Sequence, residues 1–239
     1  MRIKTIAVIP HYRHERTIQS TVEDLLQLQL PCIVVDDGSG EQTEVVLAEL
    51  ERKENVTVIR HLDNGGKGAA VKTGLQTAAE LGYTHVLQID ADRQHQFSDI
   101  PKFLAAAEKA PHTVICGKPI YGEDAPKSRR YGREITNFWI WVNTGSKGIH
   151  DGMCGFRLYP LAETLSVIQK EKIGNRMDFD TEILVHLHWA GLPIEWIDTP
   201  VRYAEDGVSH FRMVKDNIDI SLMHTRLFFL GMKKRLWKK

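Results

Sequence analysis

Cysteine is scarce in this chain: there are three in 239 residues, Cys32, Cys116 and Cys154. Their spacing fits no metal-binding pattern, and an odd, sparse count suits a reducing compartment better than a disulfide framework. Cys32 and Cys116 stand in apolar runs, where the residue is a small core filler. Long hydrophobic runs are missing too. No stretch approaches the roughly 18 apolar residues of a membrane-spanning helix. The opening MRIKTIAVIP is closed by Pro10 before it reaches signal-peptide length, so it reads as a first strand. Nor is there an excess of one charge, because 31 Lys and Arg balance 31 Asp and Glu. That balance removes any global attraction to nucleic acid or membrane, and no nucleic-acid partner is expected. Internal repeats and low-complexity linkers are absent. The expectation is a cytoplasmic protein built as one α/β unit with an elaborated C-terminal part.

What the chain does contain is alternation. Short apolar runs at 6–9, 32–35, 56–59, 85–89 and 113–116 read as strands. Between them, residues 15–28, 42–51, 68–81 and 99–109 read as helices, the first with Ile18, Val22, Leu25 and Leu26 on one stripe. Continuous β-branched strands separated by helices predict a mostly parallel, Rossmann-like sheet covered on both faces. Ligands of such folds bind beyond the carboxyl ends of the strands. The regularity fades after about residue 118, where KPIYGEDAPKSRRYG has the composition of a mobile loop. Helices are expected at 134–144 and 179–190, and a strand at 194–197. A nucleotide-binding half, 1–117, would thus be followed by a second half, 118–210, and a basic amphipathic segment, 211–239.

Three strand ends carry unusual polar chemistry. The fourth delivers QIDADRQ, with Asp90 and Asp92 separated by one small residue. A hard divalent cation, Mg²⁺ or Mn²⁺, takes one or two carboxylates and completes its shell with substrate phosphates, so this pair is a candidate metal site. Capping of the next helix is the structural alternative. An Asp-x-Asp phosphatase is disfavoured, because Gln94 stands where that signature has Thr or Val and the pair is not on the first strand. DNGGKGAA (63–70) matches neither a Walker loop nor a dinucleotide fingerprint. Its glycines and Lys67 still suit close approach to an anion at a helix N-terminus, or else a flexible turn. Asp36 and Asp37 in VVDDGSG could accept hydrogen bonds from a base or ribose, or form an ordinary turn.

Together the stretches VIPHYRHERTI, VVDDGSG, NGGKGAAVKTGL, QIDADRQH, DGMCGFRLYP, FDTEILVHLHWAGLPIEWIDTPVRY and DGVSHF resemble the family 2 glycosyltransferases of the GT-A fold. The likeness is to the dolichyl-phosphate mannose synthase-like branch, which moves a sugar from a nucleotide donor to a polyprenyl phosphate. The resemblance implies that Pro10 and Tyr12 shape a base pocket, and that Asp36 and Asp37 bind base or ribose. Lys67, Ala91 and Arg133 would contact the nucleotide-sugar. Asp90, Asp92 and Gln94 would bind the metal, Asp90 and Asp92 also facing the donor. Arg157 would add positive charge near the phosphates, with Asp180, then Asp178, as the acceptor-side base. The chain departs from the pattern at Arg13-His14, at Gly117-Lys118-Pro119, and at Ala204 and His210, which replace an Arg and a Lys. These changes alter nucleotide and phosphate contacts but leave the metal motif intact.

The activity implied is inverting transfer from a UDP- or GDP-sugar to a lipid-linked acceptor such as a polyprenyl phosphate, in cell-envelope glycoconjugate or glycolipid synthesis. Within enzymes the rival is a sugar-1-phosphate nucleotidyltransferase, which wants its Gly-rich loop after the first strand, where this chain has PHYRHE. Outside enzymes the rival is a catalytically silent nucleotide-sugar or lipid-binding module. The tail carries eight basic side chains against two acidic ones over 211–239. Phe228, Phe229, Leu230, Leu236 and Trp237 interleave with them, as in a helix lying on the inner face of the cytoplasmic membrane. A helix docked on the core is the alternative. His186 and His188 fall on different helix faces and make no metal pair, and Cys154 reads as packing rather than a nucleophile.

Overall fold

The structure, a computed structural model, describes residues 3–122, 127–201 and 211–236, with backbone alone at 127–129. Ala204, His210 and Trp237 lie outside the described residues. The first apolar runs form parallel strands β1 (Thr5–His11), β2 (Cys32–Asp36), β3 (Val56–Arg60) and β4 (His85–Gln88). They alternate with helices α1 (Glu15–Gln27), α2 (Glu44–Glu51), α3 (Lys67–Glu80) and α4 (Ile100–Lys109). Then follow β5 (Val114–Tyr121), α5 (Lys127–Thr144), β6 (Arg157–Pro160), α6 (Leu161–Lys170), α7 (Phe179–Trp189), β7 (Ile194–Val201) and α8 (Met213–Leu236). One seven-stranded sheet in the order β3-β2-β1-β4-β6-β5-β7 spans both halves of the chain.

Only β6 runs antiparallel to its neighbours, β4 and β5; the other pairings are parallel. Alternate residues of each strand face opposite layers, as the period of two requires. Val8, Val35, Val86 and Tyr159 pack with α3, α6 and α7 on one side. Ala7, Ile9, Val34, Leu87 and Leu158 pack with α1, α2 and α4 on the other. Burial of both faces explains why the strands read as continuous apolar runs.

The structure corrects the sequence reading in two places. The segment read as a loop from 118 is largely regular: β5 continues to Tyr121 because it pairs with β7 over eight residues, and α5 begins at Lys127. Among the described residues no strand pairs with β5 on its β6 side beyond Cys116, so Pro119 sits where its missing N–H is tolerated. β6 and α6 were not anticipated. β6 is four residues long, starts with a charged side chain and ends in Pro, and it exists because β4 and β5 flank it. The tail is a 24-residue helix whose Met223, His224 and Leu227 are buried against the body. Its basic groups also bond inward: Arg226 to Glu182, Lys234 to Glu171, and Arg235 to the carbonyls of Val142 and Asn143 at the end of α5.

Two glycines on helices make opposite predictions. A Cβ on Gly74 of α3 would lie 2.3 Å from Val8 Cγ1, so this glycine sets how closely α3 approaches β1. Gly132 of α5 has no heavy atom within 4 Å of its would-be Cβ. Gly74→Ala is expected to cost about 1–3 kcal/mol through overpacking, and Gly132→Ala to add up to about 1 kcal/mol; urea denaturation measures both.

Candidate active site

Parallel strands end together, so β1, β2, β3 and β4 deliver their following residues to one rim. The register places His11 beside Asp36. His11 Nε2 accepts the His14 backbone N–H at 3.3 Å, so Nδ1 carries the proton and donates to Asp36 Oδ1 at 2.8 Å. The Ser39 hydroxyl and backbone N–H also donate to Asp36. Burial works against ionisation of Asp36, but these bonds prevail and hold its carboxyl below the usual range. Asp36 is 5% exposed and stands behind the rim rather than on it. Asp37 takes N–H donors from Gly65 at 2.9 Å and Gly66 at 2.7 Å, with His61 Nδ1 at 2.9 Å. The anion at the N-terminus of α3 is therefore the protein's own Asp37 carboxylate. Gly66 and Gly68 make room for Asn175, Arg176 and Phe179, whose atoms a Cβ at either position would meet within 3 Å.

Lys67, the first residue of α3, points into the acidic corner. Its Nζ lies 2.7 Å from Asp90 Oδ1, 2.9 Å from Asp90 Oδ2 and 2.8 Å from Asp180 Oδ2. Burial disfavours the ammonium, yet the attraction of Asp180 and Asp90 outweighs it and raises the Lys67 pKa. Burial likewise opposes the Asp90 carboxylate, and Lys67 followed by His95 reverses that and lowers its pKa. The other Asp180 oxygen accepts Gln88 Nε2 at 2.8 Å. Behind it runs a relay: the Tyr159 hydroxyl donates to Gln88 Oε1 at 3.2 Å, and Arg157 NH1 lies 3.5 Å from that hydroxyl. Antiparallel pairing of Gln88 with Arg157 builds this relay, because Tyr159 sits two residues along on the same face of β6. Arg157, fully buried, also bonds the carbonyls of Asp180 and Gly152, tying α7 to the DGMCG loop. Gly155 closes the corner: a Cβ there would lie 2.6 Å from Lys67 Nζ and 2.9 Å from Asp90 Oδ2.

The corner is also suited to a divalent cation. Asp90 Oδ1 is buried and accepts no well-aligned hydrogen bond, although Lys67 is within ion-pair range. Asp92 lines the cleft, and its Oδ1 accepts the Gln94 backbone N–H at 3.1 Å. Arg93 holds the bend with a φ of 59°, an unusual conformation for a residue with a Cβ. Among the described residues no three His, Cys, Asp or Glu side chains are clustered to cage a metal. Two carboxylates with substrate oxygens completing the shell is an arrangement Mg²⁺ and Mn²⁺ take, and Gln94 lines the same cleft.

These groups open onto a cleft of about 310 Å³. Of the residues singled out from the sequence, Pro10, Tyr12, Asp37, Lys67, Asp90, Ala91, Asp92 and Gln94 line it together. Asp180 meets the same corner through Lys67. Arg133 is elsewhere, paired with Asp151 at 2.7 Å and clamping α5 to the DGMCG loop. Asp178 stands at the N-terminus of α7 away from the lining, its pKa raised by burial and then by Glu182 and Asp219. Cys154 is buried, and burial pushes its thiol up to about 12, in keeping with packing. The sequence reading missed Gln88, Tyr159, Gly155, Asn64, Arg176 and Arg212. Gln88 and Gly155 were visible as a polar residue ending an apolar strand and a glycine in DGMCGF; the others had no local signal.

Comparison with known proteins agrees with this geometry. The profile described as glycosyl transferase family 2 matches residues 6–173. An uncharacterized protein of Methanocaldococcus jannaschii is 30% identical over 94% of this chain and 99% of its own. A dolichyl-phosphate beta-glucosyltransferase of Dictyostelium discoideum is 26% identical, covering 89% of this chain and 72% of that one. A UDP-N-acetylglucosamine–dolichyl-phosphate N-acetylglucosaminyltransferase of Methanococcus voltae is 28% identical over 74% and 77%. Among solved structures, glucosyl-3-phosphoglycerate synthase of Mycobacterium tuberculosis, in complex with Mn²⁺, UDP and phosphoglyceric acid, superposes with a TM-score of 0.69. At 15% identity, over 96% of this chain and 78% of that one, it shares the fold. The chain belongs to glycosyl transferase family 2 and is a glycosyltransferase of the GT-A fold.

Proposed function

We propose that the enzyme moves a sugar from a UDP- or GDP-sugar to the phosphate of a polyprenyl-type lipid, inverting the anomeric carbon. The observation that carries this reading is the disposition of Asp180. Both of its oxygens are committed, one to Lys67 and one to Gln88, within a pocket that leaves it 4% exposed. A carboxylate held this way is suited to positioning charge, whereas a general base has to reach the proton of the acceptor. An acceptor that arrives ionised needs no base, and a phosphate is such an acceptor. The relatives named for transfer to dolichyl phosphate support the same class.

The leaving nucleoside diphosphate builds negative charge at the corner. Lys67 supplies fixed positive charge there, and Asp180 and Gln88 hold it in place. Asp90 and Asp92, with Gln94, would hold Mg²⁺ or Mn²⁺, which neutralises charge on the departing diphosphate when bound. Pro10, Tyr12 and Asp37 form the wall nearest the base and ribose. The acceptor phosphate attacks the anomeric carbon from the face opposite the diphosphate.

A lipid acceptor also calls for a membrane-facing surface, and α5 and α8 offer one. No helix among the described residues is long and apolar enough to cross a membrane. On α8, however, Ile218, Leu222, Phe229, Met232 and Leu236 are 43–69% exposed, and on α5 Tyr131, Ile135, Phe138 and Trp139 are 41–64% exposed. They recur at helical spacing and so share an outward stripe on each helix. A groove of about 500 Å³ lies between the two helices, lined by Ile135, Trp139, Phe228 and Phe229. This face would rest on the inner leaflet of the cytoplasmic membrane.

Three outcomes are expected. Asp92→Ala should abolish metal-dependent turnover, measured as nucleoside diphosphate released with Mn²⁺ or Mg²⁺ against chelator; retention of the wild-type rate in chelator rejects the mechanism. Asp180→Asn should slow transfer to a polyprenyl phosphate by well under the ~100-fold typical of a lost general base, without a new pH dependence; a larger loss that reshapes the pH profile points to a hydroxyl acceptor. Co-sedimentation with phosphatidylglycerol vesicles should fall about tenfold or more in Leu222→Glu/Phe229→Glu, and unchanged partitioning rejects the membrane face.

A further inference from the structure

The cations lining the cleft are not equivalent. Lys67 is committed to Asp90 and Asp180. Arg212 is committed to Asp216, whose carboxylate takes its backbone N–H, Nε and NH2 at 2.7–3.2 Å. Arg176 differs. Its guanidinium donates only to neutral oxygens, Asn64 Oδ1 at 3.1 Å and the Asn64 carbonyl at 3.4 Å. Among the described residues no carboxylate pairs with it, and the rest of its planar fork of N–H donors is unspent.

Its position is also fixed. The backbone N–H of Ala69 donates to the Asn175 carbonyl at 2.9 Å, and Lys72 Nζ donates to the Ile173 carbonyl and Asn175 Oδ1 at 2.6 and 2.8 Å. The Arg176 stem lies against Gly66, where its Cγ would be 2.6 Å from a Cβ. Asn64 is itself held, through Nδ2, by the Asp37 carbonyl at 3.1 Å. An arginine so anchored has already lost much of its rotamer freedom, so gripping an anion costs it little more. The cleft needs such a group, because the amides of Gly65 and Gly66 that begin α3 are spent on Asp37 and cannot serve a phosphate.

We propose that Arg176 binds the phosphates of the nucleotide-sugar donor in the cleft that it lines together with Asp92. This rests on the donor reading given above and adds to it a residue from the second half of the chain. The segment 173–178 thereby contributes to donor affinity as well as shaping the cleft. The charge carries the effect, while the contact of the stem with Gly66 only places it.

Calorimetric titration of UDP and of GDP with Mn²⁺ into the full-length protein tests this. Arg176→Met keeps a stem against Gly66 and removes the charge; affinity for the nucleoside diphosphate that the wild type binds should fall about 10- to 100-fold, the weight of a charge-assisted hydrogen bond. Arg176→Lys should recover part of that loss, and the gap between Arg176→Met and wild type should narrow as salt rises. Wild-type affinity in Arg176→Met overturns the proposal. So does an Arg176→Lys variant as weak as Arg176→Met, since the fork would then serve only to latch Asn64. If the wild type binds neither UDP nor GDP with Mn²⁺, the donor reading itself fails and this inference falls with it.

Discussion

The site depends on one ammonium group shared between two carboxylates. Lys67 stands where α3 begins, Asp90 where β4 ends and Asp180 in the first turn of α7, three elements far apart in the chain. Burying three charges is costly unless each is paired, and leaving one unpaired typically costs about 3–5 kcal/mol. The pairing therefore fixes how α3, the sheet and α7 sit relative to one another. The same groups also face the cleft, so the arrangement that stabilises the corner presets the field a leaving diphosphate would meet. Gly155, with no side chain to intrude, lets the DGMCG loop close over the pair.

Around that corner, polar side chains do structural work that motifs alone would credit to a ligand. Asp37 caps α3 through the amides of Gly65 and Gly66 and also receives His61 from the end of β3. Asp36 is held by His11 and Ser39. Arg157 and Arg133 act as clamps on the loop that carries Gly155, one through carbonyls and the other through Asp151. Each keeps a chemically active neighbour in place: Asp37 orients the glycine turn that projects Lys67, and Arg157 holds the turn of α7 that projects Asp180.

The C-terminal helix docks on the body through Met223, His224 and Leu227. Its basic groups were the reason to place it on an anionic surface, yet Arg226, Lys234 and Arg235 bond inward to Glu182, Glu171 and the end of α5. Its outward surface includes an apolar stripe, and α5 turns out another. Exposed apolar area of this extent on paired helices is the property that membrane-bound or partner-bound surfaces share.

The sequence by itself determined the first half of the sheet, its helices, and the rim where chemistry would gather. Those elements are set by local apolar periodicity, and strand ends in a parallel sheet must converge. It also marked Asp90, Asp92 and Lys67, because charged residues beside buried runs stand out, whereas Asp180 was reached only through the family resemblance. Tertiary structure decided the rest. β6 has too little strand propensity to announce itself and exists only between β4 and β5, and β5 reached Tyr121 only because β7 pairs with it. The roles of Gln88 and Tyr159 follow from that antiparallel insertion, since only the register of β4 on β6 puts them behind Asp180. Which acid meets Lys67, and which arginine faces the cleft, are questions of distance between residues a hundred positions apart, and local pattern carries no record of such distances.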